Sequence, residues 1–308
     1  MTDSRSIQQQ SLLEQLANAL DDHNVEADDA LDLRRIVAKM MEESRAWDDD
    51  LHRELVQAFG DRLGGRYAQL FSGSFPSAYR ARFSVSEALD DIRQIQSIAV
   101  SSDVPMGFYH PEDSAEGELS FKLYSQGSPV ILSDVIPILE NLGMRVLGEH
   151  PYRVQRRDGQ AFGVSDFTVA FHARCRNADF ARVKPLVQEA FREIWNGFAE
   201  NDDFNQLVMA AGLGWREVAL LRAYARYIKQ LRFGFSQPFI ADTLARHLDI
   251  TASLVALFKA RFEPETEAGQ ARAESVEAIE TGILEALEQV ESLDDDRILR
   301  RFLALIQA

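Results

Sequence analysis

The feature that most constrains this chain is a change of hydrophobic period near Val104. Before that point apolar residues recur every three or four positions, as one face of a helix requires. Leu12, Leu13, Leu16 and Leu20 form a first stripe, and the acidic break "DDHNVEADD" follows. A longer stripe then runs through Leu31, Ile36, Val37, Met40, Met41, Trp47, Leu51, Leu55 and Phe59. "GDRLGG" interrupts it, and "GSFPSAYR" has the Gly, Ser and Pro content of a turn or loop. Ser84 with Glu87 three residues on has the form of a capping box. The helix it opens carries Ala88, Ile92 and Ile95.

Beyond Val104 the period shortens to two. "MGFYH" and "ELSFKLYS" are short, aromatic and alternating, so they read as strands. The stretch "GSPVILSDVIPILENLGMR" then places Val135, Ile138, Leu139 and Leu142 on one helical face, with Gly143 as the expected left-handed stop. Pro137 fits that helix if it begins near Ser133 or Asp134, because only the first turn spares an amide. "MRVLGEHPYRVQRR" and "AFGVSDFTVAFHAR" follow as strands joined by the turn "RDGQ". Val183, Leu186, Val187, Ala190, Ile194 and Phe198 mark a long amphipathic helix. The order strand, helix, strand, strand, helix implies an α+β module: an antiparallel sheet covered on one face.

From Asp202 the helical period returns. Asp202 or Asp203 can cap "FNQLVMAAGL", and Gly212 and Gly214 end it. Trp215 opens a helix with Leu220, Leu221, Tyr224, Ala225, Ile228 and Leu231 on its apolar side. "SQPFIADTLARHL" and "TASLVALFKARF" are shorter helices. The segment from Glu263 to Asp296 is acid-rich, with Arg272 its one basic residue, yet Val276, Ile279, Ile283, Leu287 and Val290 keep an apolar seam. That is a helix with a solvated acidic face.

Charge narrows the function classes. The 308 residues carry a net charge of −16, which argues against a phosphate-tracking surface and against adhesion to an anionic membrane. No apolar run approaches the roughly 20 residues of a spanning helix, and "MTDSRSIQQQSLLEQ" lacks the pattern of a secretory signal. The single cysteine, Cys175, rules out an intrachain disulfide and fits a reducing compartment. A soluble, acidic, cytoplasmic chain is expected, with no nucleic-acid and no membrane partner.

Candidate chemistry is sparse. The six histidines show no zinc-like spacing with one another or with Cys175, and no metal site is expected. Neither Gly-x-Gly-x-x-Gly nor Gly-x-x-x-x-Gly-Lys-Ser/Thr occurs, so no phosphate-cradling loop is present. "LDDDRILRR" reads as acids at a helix start followed by arginines, which suits the helix dipole. Arg222, Arg226 and Lys229 form a basic ridge, read as solvated or paired with acidic helices. The strand-to-helix turn remains. Backbone amides around Gly127, Ser128, Ser133 and Asp134 can receive the carboxylate of an amino-acid effector. Alternatively, Ser133 or Asp134 caps those amides itself.

The same stretch resembles the first strand-to-helix unit of an ACT domain, a small ferredoxin-like regulatory fold that often binds amino acids. Three longer stretches, "LYSQGSPVILSDVIPILENLGMRVLGEHPYRV", "NDDFNQLVMAAGLGWREVALLRAYARYIKQLRFGFSQ" and "SLDDDRILRRFLALIQA", resemble in order a region of the large bacterial NAD-specific glutamate dehydrogenases. "FPSAYRARFSVSEALDDI" fits the part just upstream. The resemblance implies an ACT-like antiparallel sheet module at residues 104–200, a helical segment at 1–103, and a helical connector at 201–308 leading toward a catalytic domain. It implies a parent reaction, oxidative deamination of L-glutamate to 2-oxoglutarate and ammonium with NAD as hydride acceptor. It also implies partners: the catalytic domain of the same parent chain, further copies in a homo-oligomer, and an amino-acid effector. In that family the catalytic core begins just past the segment matching "RRFLALIQA", where this chain ends. No catalytic or cofactor-binding residue is therefore carried over, no cofactor is expected in this chain, and the chain alone is expected to be inactive. The ACT pattern calls for a strand after the second helix, where "NDDFNQLVMAAGL" reads helical. Either the sheet borrows "MGFYH" or it lacks that strand. A purely architectural role, with the Val276–Val290 seam serving assembly, is the remaining reading.

Overall fold

The computed structural model describes residues 27–98, 104–111, 117–175, 178–232, 234–264 and 270–308. The Leu12–Leu20 stripe lies outside them. The chain divides into two compact units, one reaching to Gln96 and including Tyr152–Phe162, the other comprising Ser97–Pro151 and Gly163–Ala308.

In the first unit α1 (Ala27–Phe71) is one helical run broken at Gly60, where φ is 77° and ψ 166°. The break falls at the expected interruption. Just past it, Gly64 lies against the backbone of Leu55 and Val56; a Cβ there would come within 2.6 Å of the Val56 Cα. Only glycine lets these two stretches touch. "GSFPSAYR", expected to be irregular, contains one helical turn, α2 (Ser77–Arg80), whose Tyr79 is fully buried. The Tyr79 ring lies 4.6 Å from Phe75, 4.7 Å from Phe83 and 5.3 Å from Tyr152. Its hydroxyl donates to the buried Asp91 carboxylate on α3 (Val85–Ser97) at 2.5 Å, so neither polar group is orphaned. The capping box forms as read: the Ser84 amide donates to Glu87 at 2.9 Å, and the Glu87 amide to Ser84 Oγ at 3.3 Å. Residues 152–162 join this unit by main-chain bonds, Gln155 N–H to Ser74 O and Arg157 N–H to Leu70 O.

A four-stranded antiparallel sheet is made of β1 (Met106–Tyr109), β2 (Glu118–Gln126), β3 (Met144–Gln155) and β4 (Ala161–Phe171); all but the end of β3 and the start of β4 belongs to the second unit. The spatial order is β1-β2-β4-β3. β1 pairs with β2 from Met106 opposite Leu123 to Tyr109 opposite Ser120. The sheet therefore does take "MGFYH" as its fourth strand, while the segment after the second helix is helical. Alternation along β2 sends Leu119, Phe121 and Leu123 into the core and Ser120, Lys122 and Tyr124 to the opposite face. On that second face Ser120 Oγ donates to Asp166 Oδ1 at 2.5 Å, and the buried Lys122 ammonium stands 5.4 Å from the Tyr109 ring.

Two helices cover the core face. α4 (Leu132–Asn141) buries Val135, Ile138 and Leu139; α5 (Phe180–Trp195) buries Val183, Val187, Ala190, Phe191 and Ile194. Each of these larger side chains is worth about 1.5–3 kcal/mol of burial. Pro137 and Pro185 interrupt the ladders of these helices on their exposed sides, where water can serve the freed carbonyls. Asp179 caps α5 by accepting from the Ala181 amide at 3.0 Å. Gly143 ends α4 with φ 94°, as expected of a helix stop.

A 3-10 turn (Asp203–Asn205) follows, then α6 (Gln206–Ala210), α7 (Trp215–Gln230), α8 (Gln237–Arg246), α9 (Leu248–Phe262), α10 (Gln270–Leu287) and α11 (Leu293–Gln307). One continuous apolar core runs from the sheet through these helices to Ile306. The Val276–Val290 seam packs into it, with Ile283 and Leu287 fully buried. The seam is thus used within the chain. Of the basic ridge, Arg222 and Arg226 are paired rather than solvated: the Arg222 side chain is 5% exposed and clamps Asp202, while Arg226 reaches Glu200. The acids of "LDDDRILRR" stand in the first turn of α11 as expected, and Asp295 among them is also buried against side chains of α8 and the α8–α9 junction.

Candidate functional site

The β2–α4 crossover was the sequence's candidate, and its two ends differ. At the entry, Gly127 has φ 88° and Ser125 Oγ donates to Ser128 O at 2.6 Å. The Ser128–Pro129 backbone is pressed onto Gly163 of β4, where a Cβ would meet the Pro129 Cα at 2.5 Å. Ser128, Ser133 and Asp134 are exposed and Gly127 half-buried. Neither Ser133 nor Asp134 is the cap. The helix starts at Leu132 with Ile131 as N-cap and no capping side chain, so Ser133 and Asp134 already sit inside the first turn. From there Asp134 favours the helix dipole without replacing the cap.

At the exit, a cleft of about 470 Å³ opens beside the last turn of α4. Glu140, Asn141, His172, Arg174, Asp203 and Asp242 line it, drawn from α4, the turn after β4, the 3-10 turn and α8. Arg174 is ion-paired with Asp242 and donates to Gln206 Oε1 at 3.4 Å. Asp242 has a second cation, Arg246. Arg246 in turn bonds Asp295 through Nη2 at 2.7 Å and Nε at 3.1 Å. His247 Nε2 and Thr243 Oγ1 complete the Asp295 site at 3.1 and 3.2 Å. Burial works against the Asp295 charge, but the hydrogen bonds from Arg246, His247 and Thr243 prevail and hold its carboxyl below the usual range. The result is an alternating line of charge, Arg174–Asp242–Arg246–Asp295, from the end of the sheet to α11.

Cys175 closes the floor of the cleft. It is 2% exposed, and a Cβ on Gly143 would stand 2.8 Å from its Sγ. Burial pushes its thiol up to about 11, with Arg174 opposing only in part. This is a packed side chain, not an activated nucleophile. Among the described residues no cluster of His, Cys, Asp and Glu is arranged to hold a metal ion, and no helix is long and apolar enough to cross a membrane. Sequence reading missed the cleft because its residues lie up to about a hundred positions apart, and those it did single out, Gly143, Cys175 and Asp203, were read each within its own segment.

Comparison with known proteins gives the same order of segments. Residues 54–98 match "Glutamate dehydrogenase, helical motif 2", residues 103–183 "Glutamate dehydrogenase, ACT3 domain", and residues 199–264 "Glutamate dehydrogenase, helical motif 3". The NAD-specific glutamate dehydrogenase of Halomonas elongata is 40% identical over 277 residues, and that of Pseudomonas aeruginosa 42% over 282. That of Mycobacterium tuberculosis is 34% identical over 278 residues. These alignments cover 89–90% of this chain but only 17% of each relative.

Proposed function

For a chain that belongs to the glutamate dehydrogenase family through its helical motif 2, ACT3 and helical motif 3 regions, we infer a regulatory and structural role within an NAD-dependent enzyme. The parent reaction on this reading takes L-glutamate, NAD and water to 2-oxoglutarate, ammonium and NADH. NAD and glutamate are held by a catalytic domain of the same parent chain, and this region supplies a rigid, sensing neighbour to it. One observation carries the reading: the ACT3 sheet and the helical motif 3 helices share a single core, so a change at the sheet is felt directly in the helices. Packed cores move between discrete arrangements rather than deforming smoothly, which suits transmission. Incubating the purified chain with glutamate and NAD tests it at 340 nm. No NADH is expected; glutamate-dependent NADH formation overturns the reading.

A second reading places an amino-acid effector at the Gly127–Asp134 turn. It is favoured by the absence of a capping side chain at the start of α4, which leaves first-turn amides for a carboxylate. Calorimetric titration with amino acids tests it. Binding unaffected by Gly127→Val with Ser128→Val, which disturbs the left-handed turn at Gly127, counts against that location.

A further inference from the structure

We propose that the cleft at the C-terminal end of α4 is a binding site for a small zwitterion bearing one carboxylate and one ammonium group. The proposal deepens the regulatory reading above and rests on it for its use, but its chemistry comes from the lining. A volume of about 470 Å³ lies within the range of metabolite sites, about 300–1,000 Å³.

Both charges of such a ligand find a partner. Among the described residues Arg174 is the one arginine lining the cleft, and its planar fork suits a carboxylate. It is available because Asp242 has two cations: when Arg174 turns to a ligand, Arg246 still neutralises Asp242. Arg246 then serves both Asp242 and Asp295, and the Asp242 side chain is 33% exposed, so the exchange costs less than breaking an isolated buried pair. The ammonium has two carboxylates in the same lining. Those of Glu140 and Asp203 make no ion pair or hydrogen bond among the described residues. Glu140 also stands in the last turn of α4, where the carbonyl end of the helix favours a cation. A purely anionic ligand would meet two unpaired carboxylates, and a purely cationic one would leave Arg174 where it is. Only a molecule with both groups engages all three side chains.

The site is separate from the β2–α4 turn, being at the other end of the helix and built in part from Asp203, Gln206 and Asp242 of the helical motif 3 region. Its test is calorimetric titration of the 308-residue chain with each common L-amino acid. The tightest binder is then compared with its analogues lacking the amino or the carboxyl group. Expected are saturable binding of the amino acid, at least tenfold weaker binding of either analogue, and at least tenfold weakening by Arg174→Met and by Glu140→Gln with Asp203→Asn. Asp242→Asn, which frees Arg174 from its resident partner, is expected to tighten binding severalfold, an effect a merely structural Arg174 would not give. Ser128→Ala with Asp134→Asn is expected to leave affinity unchanged. The proposal is overturned if no amino acid binds, if a singly charged analogue binds as well, if Arg174→Met binds like the parent, or if the turn variant abolishes binding. None of these outcomes bears on the NADH assay, so the broader reading stands or falls separately.

Discussion

Arg222 grips Asp202 with two parallel hydrogen bonds, Nε to Oδ2 at 2.7 Å and Nη2 to Oδ1 at 2.8 Å, and gives a third to Asn205 Oδ1 at 2.6 Å. The same Asp202 carboxylate accepts from the Phe204 amide at 3.1 Å, capping the 3-10 turn that leads into α6. One side chain on α7 therefore fixes the start of the helical array. Arg222→Met is expected to cost about 2–3 kcal/mol, less than the roughly 3–5 for a fully buried pair, because Asp202 keeps a third of its surface in water. Urea unfolding measures it; a loss below about 0.5 kcal/mol would show that the clamp is dispensable.

Gly64 and Gly65 form a matched pair of opposite expectation. Gly64→Ala drives a methyl into the Leu55–Val56 backbone and is expected to destabilise the first unit by about 1–3 kcal/mol. Gly65 has nothing within 4 Å of a Cβ, so Gly65→Ala is expected to be neutral or to stabilise by up to about 1 kcal/mol. Thermal unfolding followed by circular dichroism separates them, and equal effects would contradict the close approach.

Asp295 makes stability depend on acid. Its carboxyl, disfavoured by burial but held low by Arg246, His247 and Thr243, titrates below its unfolded counterpart. Its contribution is fully present above the unfolded value, near about 4, and is lost as pH falls through the lower folded value. Asp295→Asn is therefore expected to be less stable than the parent at neutral pH, with the gap narrowing below about pH 4. A gap constant down to pH 2 would argue against the ion-pair account.

Cys175 is expected to resist alkylation. With its thiol pushed up to about 11, roughly one molecule in a thousand carries a thiolate at pH 8, and that sulfur is 2% exposed. Iodoacetamide at pH 8 should leave the native chain unlabelled over hours and label it rapidly in urea, as mass spectrometry would show. Rapid native labelling would mean that the packing around Gly143 and Cys175 opens.

What the sequence discloses here is what neighbouring residues settle between themselves. The Ser84–Glu87 box, the stop at Gly143 and the turn between β3 and β4 involve residues a few positions apart, so their chemistry is local. The helix face of α5 is legible for the same reason. The choice of closing strand is not, because it is decided by the pairing of Met106–Tyr109 with Ser120–Leu123 across an intervening loop. The fate of Arg222 depends on an aspartate twenty residues earlier, and a ridge of basic residues cannot announce that one member is buried. The capping of α4 was misread because Ser133 and Asp134 are good capping residues one or two positions too late. The cleft was invisible because four elements meet there and none has a motif of its own.

The closing strand has a further consequence. A ferredoxin-like sheet that takes its edge from upstream is circularly permuted: Met106–Tyr109 sits where the returning strand would otherwise lie. Release from that return leaves the chain after α5 free to lead into Phe204 and Leu207, which share one core with the sheet. The exchange moves the module's weakness to its front. Beginning the chain after Tyr109 would strip β2 of its outer partner, leaving β4 on its other side, and present Ser120–Leu123 as an open edge, an invitation to intermolecular strand pairing. The four residues "MGFY" act as a clasp, small in area, that covers the open side of β2.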